Sequence, residues 1–85
     1  MEEALHVEVK LFAMLREAQG ADRIALTLPR GATVGELKRE IAARFPALAP
    51  FLPTTRLAAA LRFVSEDHVL VGGQELALVP PVSGG

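Results

Sequence analysis

The stretch Thr33-Val34-Gly35-Glu36-Leu37-Lys38-Arg39-Glu40-Ile41-Ala42-Ala43-Arg44-Phe45-Pro46 decides the fold of this chain. Thr33 and Glu36 have the spacing of a capping box, in which the threonine hydroxyl and the glutamate carboxylate each satisfy a backbone N–H left free at a helix start. Val34, Leu37, Ile41 and Phe45 then recur at helical spacing, with Lys38, Arg39 and Glu40 on the wet side. Pro46 closes the helix, because the residue before a proline resists helical geometry.

On both sides of this helix the period changes to two. Upstream, Leu5, Val7, Val9 and Leu11 alternate with His6, Glu8 and Lys10, which predicts a half-buried strand over 5–12. Ala13 to Gln19 reads as a short helical segment ended by Gly20. Ile24, Leu26 and Leu28 mark the buried face of a second strand over 23–28, stopped by Pro29 and Gly31. Downstream, 46–53 is an irregular connection with one helical turn around Ala47 to Phe51. Residues 57–64 read as a strand, although Ala58-Ala59-Ala60 also suits a helix. Val69 to Val71 is a short strand, and Gly72-Gly73 suits a turn that needs positive φ. The last strand runs over 75–79, with Leu76 and Leu78 inward and Ala77 and Val79 outward. Strands flanking one main helix predict an α+β fold, a mixed sheet with the helix packed across one face. This is the order of the ubiquitin-like β-grasp. Residues 1–79 are expected to form the domain and 80–85 an extended tail.

Composition narrows the function classes. The chain has 85 residues, 51% of them apolar and 22% charged, which suits one small globular domain. The formal net charge of -1 provides no basic field to hold nucleic acid or an anionic membrane. The apolar runs are too short to span a bilayer, and the acidic start Met1-Glu2-Glu3-Ala4 lacks a signal-peptide pattern, so a cytoplasmic protein is expected.

The body of the domain offers little chemistry. His6 and His68 are the only histidines and there is no cysteine, so no metal site is expected. Ser65, Asp67 and His68 are the residue types of a hydrolase triad. They crowd into one short segment, whereas a triad needs converging side chains and an oxyanion hole. A polar turn with local hydrogen bonds is the expectation there.

The tail differs. Pro80-Pro81 follows the last strand, stiffens the backbone and removes two N–H donors, so the sheet ladder should end there. Residues 80–85 can reach on the order of 20 Å when extended. Gly84 and Gly85 lack side chains and can enter a channel closed to other residues. At about 7% glycine, a terminal Gly-Gly arises by chance in roughly one chain in two hundred. The dipeptide gains meaning only from the stiff stem behind it and the absence of a site in the body.

These features resemble the small sulfur-carrying subunit of molybdopterin synthase (the MoaD family) over nearly the whole chain. Phe12-Ala13 with Arg16-Glu17, then Val64-Ser65 with Asp67-His68 and Leu70, carry part of the likeness. The most specific part is Leu78-Val79-Pro80-Pro81-Val82-Ser83-Gly84-Gly85. One departure is visible: relatives often have a Val-Asn turn where Ala60-Leu61-Arg62 stands, which leaves the local hairpin geometry open.

The resemblance implies a mechanism. An activating enzyme of MoeB type, using ATP and Mg, adenylates the Gly85 carboxylate, and a persulfide-derived sulfur displaces AMP to leave a thiocarboxylate. No cofactor is bound by this chain itself. The tail then enters the large synthase subunit (MoaE type), in an expected heterotetramer, and passes sulfur to cyclic pyranopterin monophosphate to build the molybdopterin dithiolene. Gly84 and Gly85 are the expected reacting end. Phe63, Val79, Pro80, Pro81, Val82 and Ser83 are the expected partner-binding residues, with Arg16 as a polar rim contact. Val79 and Phe63 would form the apolar centre of the docking patch. Two other readings use the same tail: a sulfur carrier for thiamine thiazole synthesis (ThiS type), whose chains are usually shorter and lack the Pro-Pro-Val-Ser stem, and a ubiquitin-like modifier joined to lysines.

Overall fold

The computed structural model describes residues 4–81. The period-two segments at the start of the chain form β1 (Ala4–Leu11) and β2 (Arg23–Pro29). They pair antiparallel with Val7 opposite Leu26 and Val9 opposite Ile24, so the apolar residues of both strands share one face. Between them α1 (Ala13–Gln19) stops at Gly20, whose φ of 75° lets its N–H turn back to the Arg16 carbonyl at 2.9 Å.

α2 (Val34–Arg44) begins in the predicted capping box. The Glu36 N–H donates to Thr33 Oγ1 at 3.3 Å, and the Thr33 N–H donates to Glu36 Oε1 at 2.8 Å. Val34, Leu37 and Ile41 are fully buried, and the helix ends at Phe45, immediately before Pro46. Removing each such side chain from water stabilises the fold by roughly 1.5–3 kcal/mol.

The sheet is completed by β3 (Arg56–Ala59), β4 (Arg62–Val64) and β5 (Leu76–Val79). Its order is β2-β1-β5-β3-β4. β1 and β5 run parallel, and the other neighbours are antiparallel. α2 packs across one face, and Val9, Leu11, Leu57, Leu76 and Leu78 join its buried residues in a single core. The sequence predicts this mixed sheet with one helix across it.

Four local expectations are corrected. Residues 57–64 are not one strand but the hairpin β3–β4, because Ala60 (φ 52°) and Leu61 (φ 70°) turn the chain between Ala59 and its partner Arg62. Val69 to Val71 makes only the single bridge Thr33–Val69, since its neighbour is the short lead into α2 rather than a strand. Leu70 still points inward, and its N–H reaches the Ala32 carbonyl at 2.9 Å. The helical turn expected around Ala47 to Phe51 lies further on, as a 3₁₀ segment (Ala49–Thr54) with Pro50 in its first turn, where a missing N–H costs nothing.

Lys38 is the fourth. Its side chain is only 13% exposed, and its ammonium donates to the Thr55 carbonyl at 2.6 Å and to Glu66 Oε2 at 2.7 Å. The stem lies along apolar surface while the charged end finds two oxygens, which helical periodicity of apolar residues cannot reveal.

Candidate functional site

Residues opposite one another in neighbouring strands share a face. On the face away from α2, the register sets Arg56 opposite Val79, Ala58 opposite both Ala77 and Phe63, and Lys10 opposite Ala77. Ala58 and Ala77 have almost no side chain to fill the middle of this face. Larger side chains stand around them: Phe12, Leu61, Phe63 and Val79. The result is a mostly apolar concavity of about 290 Å³, closed at one end by Lys10 and Glu75.

Charged groups frame the apolar floor. Lys10 Nζ meets Glu75 Oε2 at 2.5 Å. That hydrogen bond, and then the charge of the Lys10 ammonium, hold the Glu75 carboxyl below its ordinary value. Arg56 lies over the ring of Phe63. Phe63 is nevertheless 50% exposed and Phe12 44%, a concentration of aromatic surface on a chain with few aromatic residues.

Val79 ends β5 on the rim of this concavity. Pro80, half-buried, and Pro81, exposed, follow outside the strand. Phe63 and Val79 thus line one concavity, and Pro80 follows Val79 directly. Arg16 is exposed on α1 and does not line the concavity. Val82, Ser83, Gly84 and Gly85 lie outside the described residues.

Sequence reasoning missed Phe12 and Leu61. A signal for Phe12 existed: it continues the outward series His6, Glu8, Lys10, and so places an aromatic ring on an otherwise polar face. Leu61 gives no such signal, because its position depends on the geometry of a turn that the sequence leaves open.

Ser65, Asp67 and His6 are engaged in local hydrogen bonds, whereas His68 Nε2 is buried without a hydrogen-bond partner among the described residues. Ser65 Oγ donates to Asp67 Oδ1 at 2.7 Å, which holds that carboxyl below its ordinary value. The hydroxyl is therefore directed at a carboxylate rather than at His68. His6 Nδ1 lies 3.1 Å from Thr27 Oγ1. Among the described residues no three His, Cys, Asp or Glu side chains converge as metal ligands. A larger groove of about 910 Å³ between α2, the 3₁₀ segment and β3 is crossed by the Lys38 bonds already described. No helix among the described residues is long and apolar enough to cross a membrane.

Comparison with known proteins gives the geometry a context. The model of the ThiS family matches residues 9–85, which include the central strand and the tail. The molybdopterin synthase sulfur carrier subunit of Escherichia coli (strain K12) is 39% identical over 83 residues, covering 93% of this chain and 99% of that protein. Among solved structures, the putative molybdopterin converting factor subunit 1 from Pyrococcus furiosus is 31% identical with a TM-score of 0.80, covering 92% and 99% of the two chains. The small archaeal modifier protein 1 of Haloferax volcanii also has a TM-score of 0.80, at 27% identity, covering 92% and 99%.

Proposed function

The chain belongs to the ThiS family, and on that premise we propose that it is the sulfur carrier subunit of a molybdopterin synthase. The observation that carries this reading is the continuity of β5 with the tail. Val79, on the rim of the apolar concavity, is followed by Pro80-Pro81 and then by Val82-Ser83-Gly84-Gly85. The 39% identity to the Escherichia coli sulfur carrier subunit supports the molybdopterin branch over thiazole synthesis.

In this reading Gly85 is the reagent. Its carboxylate is a poor electrophile, so an activating enzyme of MoeB type, with ATP and Mg, adenylates it and releases pyrophosphate. The outer sulfur of a persulfide then displaces AMP to give an acyl disulfide, and a thiol breaks its S–S bond, leaving the thiocarboxylate on Gly85 and a new disulfide on the donor. A thioacid is ionised at neutral pH, so its sulfur is a nucleophile. Gly84 and Gly85 pass through a narrow channel because they carry no side chains. The large subunit supplies the pterin pocket and its catalytic groups, and each tail delivers one of the two dithiolene sulfurs. The concavity around Phe63 and Val79 supplies the docking surface, Pro80 and Pro81 direct the tail, and Arg16 contributes at the rim. The pathway operates in the cytoplasm.

The test is intact-mass measurement of the chain after incubation with the activating enzyme, ATP and a sulfur donor. Exchange of one oxygen for one sulfur, localised to Gly85, is expected. An unchanged mass under conditions that convert the Escherichia coli carrier would refute the reading.

A second reading is favoured by the likeness to the Haloferax volcanii modifier. Here Gly85, once activated, forms an amide with lysines of other proteins. A ladder of larger adducts in cell extract would support it, and adducts that persist without any sulfur donor would separate it from the carrier reading.

A further inference from the structure

Among the described residues, three non-glycine positions have left-handed backbone: Ala13 (φ 52°), Ala60 (φ 52°) and Leu61 (φ 70°). Leu61 lines the concavity, and Ala13 and Ala60 each adjoin in sequence a residue that does. Ala13 follows Phe12, and Ala60-Leu61 form the turn that carries Leu61 onto its rim. A two-residue hairpin turn with both φ positive is built most readily from Asn-Gly, since glycine has no Cβ and asparagine tolerates left-handed backbone through local hydrogen bonds. This chain has Ala-Leu instead. The leucine is 87% exposed, more than any other large apolar side chain described. In the isolated protein Leu61 is thus doubly unfavourable, with a strained backbone and an apolar side chain in water. Retained strain beside a binding surface points towards a use for it.

The neighbouring tail indicates what covers this residue. A protein that grips Gly85 must come within the roughly 20 Å spanned by residues 80–85. That stem leaves β5 at Val79, which lies on the same rim as Leu61. A partner holding the end of the tail is therefore within reach of this face. Lasting subunit interfaces are more apolar than brief encounters. An uncharged leucine prong fits the lasting one.

We propose that Leu61 is a specificity-determining contact for the large synthase subunit, seated in an apolar pocket of that subunit when the two assemble. This rests on the sulfur-carrier reading. The strained turn holds the side chain outward in advance, so little further ordering is needed on binding.

The test compares the affinity of the full chain for the purified large subunit, by calorimetry, across four forms: wild type, Leu61→Asn, Leu61→Met and the double variant Ala60→Asn/Leu61→Gly. Leu61→Asn is expected to weaken binding by about ten- to a hundredfold, the loss of one buried leucine. Leu61→Met should bind within about threefold of wild type, since it keeps apolar volume. The double variant should melt at a higher temperature than wild type and yet bind as weakly as Leu61→Asn. That opposition of sign is not produced by a residue whose role is only to hold the hairpin. Equal affinities for wild type and Leu61→Asn would overturn the proposal while leaving the carrier reading intact. Failure of the wild type itself to bind would overturn both.

Discussion

The guanidinium of Arg56 lies over the ring of Phe63, with its central carbon 3.9 Å from the ring centroid. The two residues are on neighbouring strands, diagonal across the β3–β4 register, where long side chains can meet. The cation covers one face of the ring and leaves the rest towards the concavity. Such a contact at a half-exposed site contributes about 0.5–1 kcal/mol. Arg56→Ala is expected to lower stability by that amount, and a double-mutant cycle with Phe63→Leu should return a coupling of similar size. Strictly additive thermal or chemical unfolding energies would show that the stacking contributes nothing.

Removing Gly85, or adding one residue after it, should abolish sulfur transfer without changing the melting temperature. In the sulfur-carrier reading the reacting group is the terminal carboxylate, whereas the last strand of the folded body ends at Val79. Sulfur transfer to the pterin substrate by a reconstituted synthase is the readout. Either variant retaining full activity would refute the assignment of the tail as reagent.

Lys38 links three pieces of backbone: α2, the end of the 3₁₀ segment through the Thr55 carbonyl, and the segment after β4 through Glu66. Lys38→Ala leaves the inner carbonyl without its donor. A cost of about 1–3 kcal/mol is expected, the range for a buried group that loses its partner. Denaturant unfolding measures it. Glu66→Gln should cost less, because Glu66 is exposed and water can replace it.

The Lys10–Glu75 pair sets a direction for pH dependence. Glu75 has its carboxyl held below the ordinary 4.5, so the folded protein binds that proton more weakly than the unfolded chain. Its contribution is then fully present above about pH 4.5 and is lost as pH falls through the lower, folded value. Wild type should therefore melt above Glu75→Gln near neutral pH, and the gap should close as the solution is acidified below that value. A gap that widens on acidification would contradict the pairing.

Much of this molecule is legible in its sequence, for physical reasons that also explain the rest. β1 and β2 follow from alternation, because each has one wet face and one dry face, and β5 follows as a short apolar run closed by Pro80. α2 follows from Thr33 and Glu36 as well as from Val34, Leu37 and Ile41, so two independent signals agree. Phe63 and Val79 are legible as outward apolar residues, and the register places both beside one concavity. The hairpin at Ala60-Leu61 is legible only through the family resemblance, because neither residue carries the mark of left-handed backbone, unlike Gly20 or Gly73. Lys38 was hidden because a charged residue reads as wet until tertiary structure supplies oxygens for it. Leu61 was hidden for both reasons together, since its importance depends on a turn and on what the turn places next to it.

The position of β5 in the sheet has a mechanical consequence. It is the middle strand of five, flanked by β1 on one side and β3 on the other. A pull on the tail loads this strand along its length, against two ladders of backbone hydrogen bonds in shear. Were the tail attached to an edge strand such as β2 or β4, the same tension would act on one ladder only. The strand that leads into residues 80–85 is thus held by two ladders, so in the sulfur-carrier reading tension on the tail is shared between both neighbours of β5.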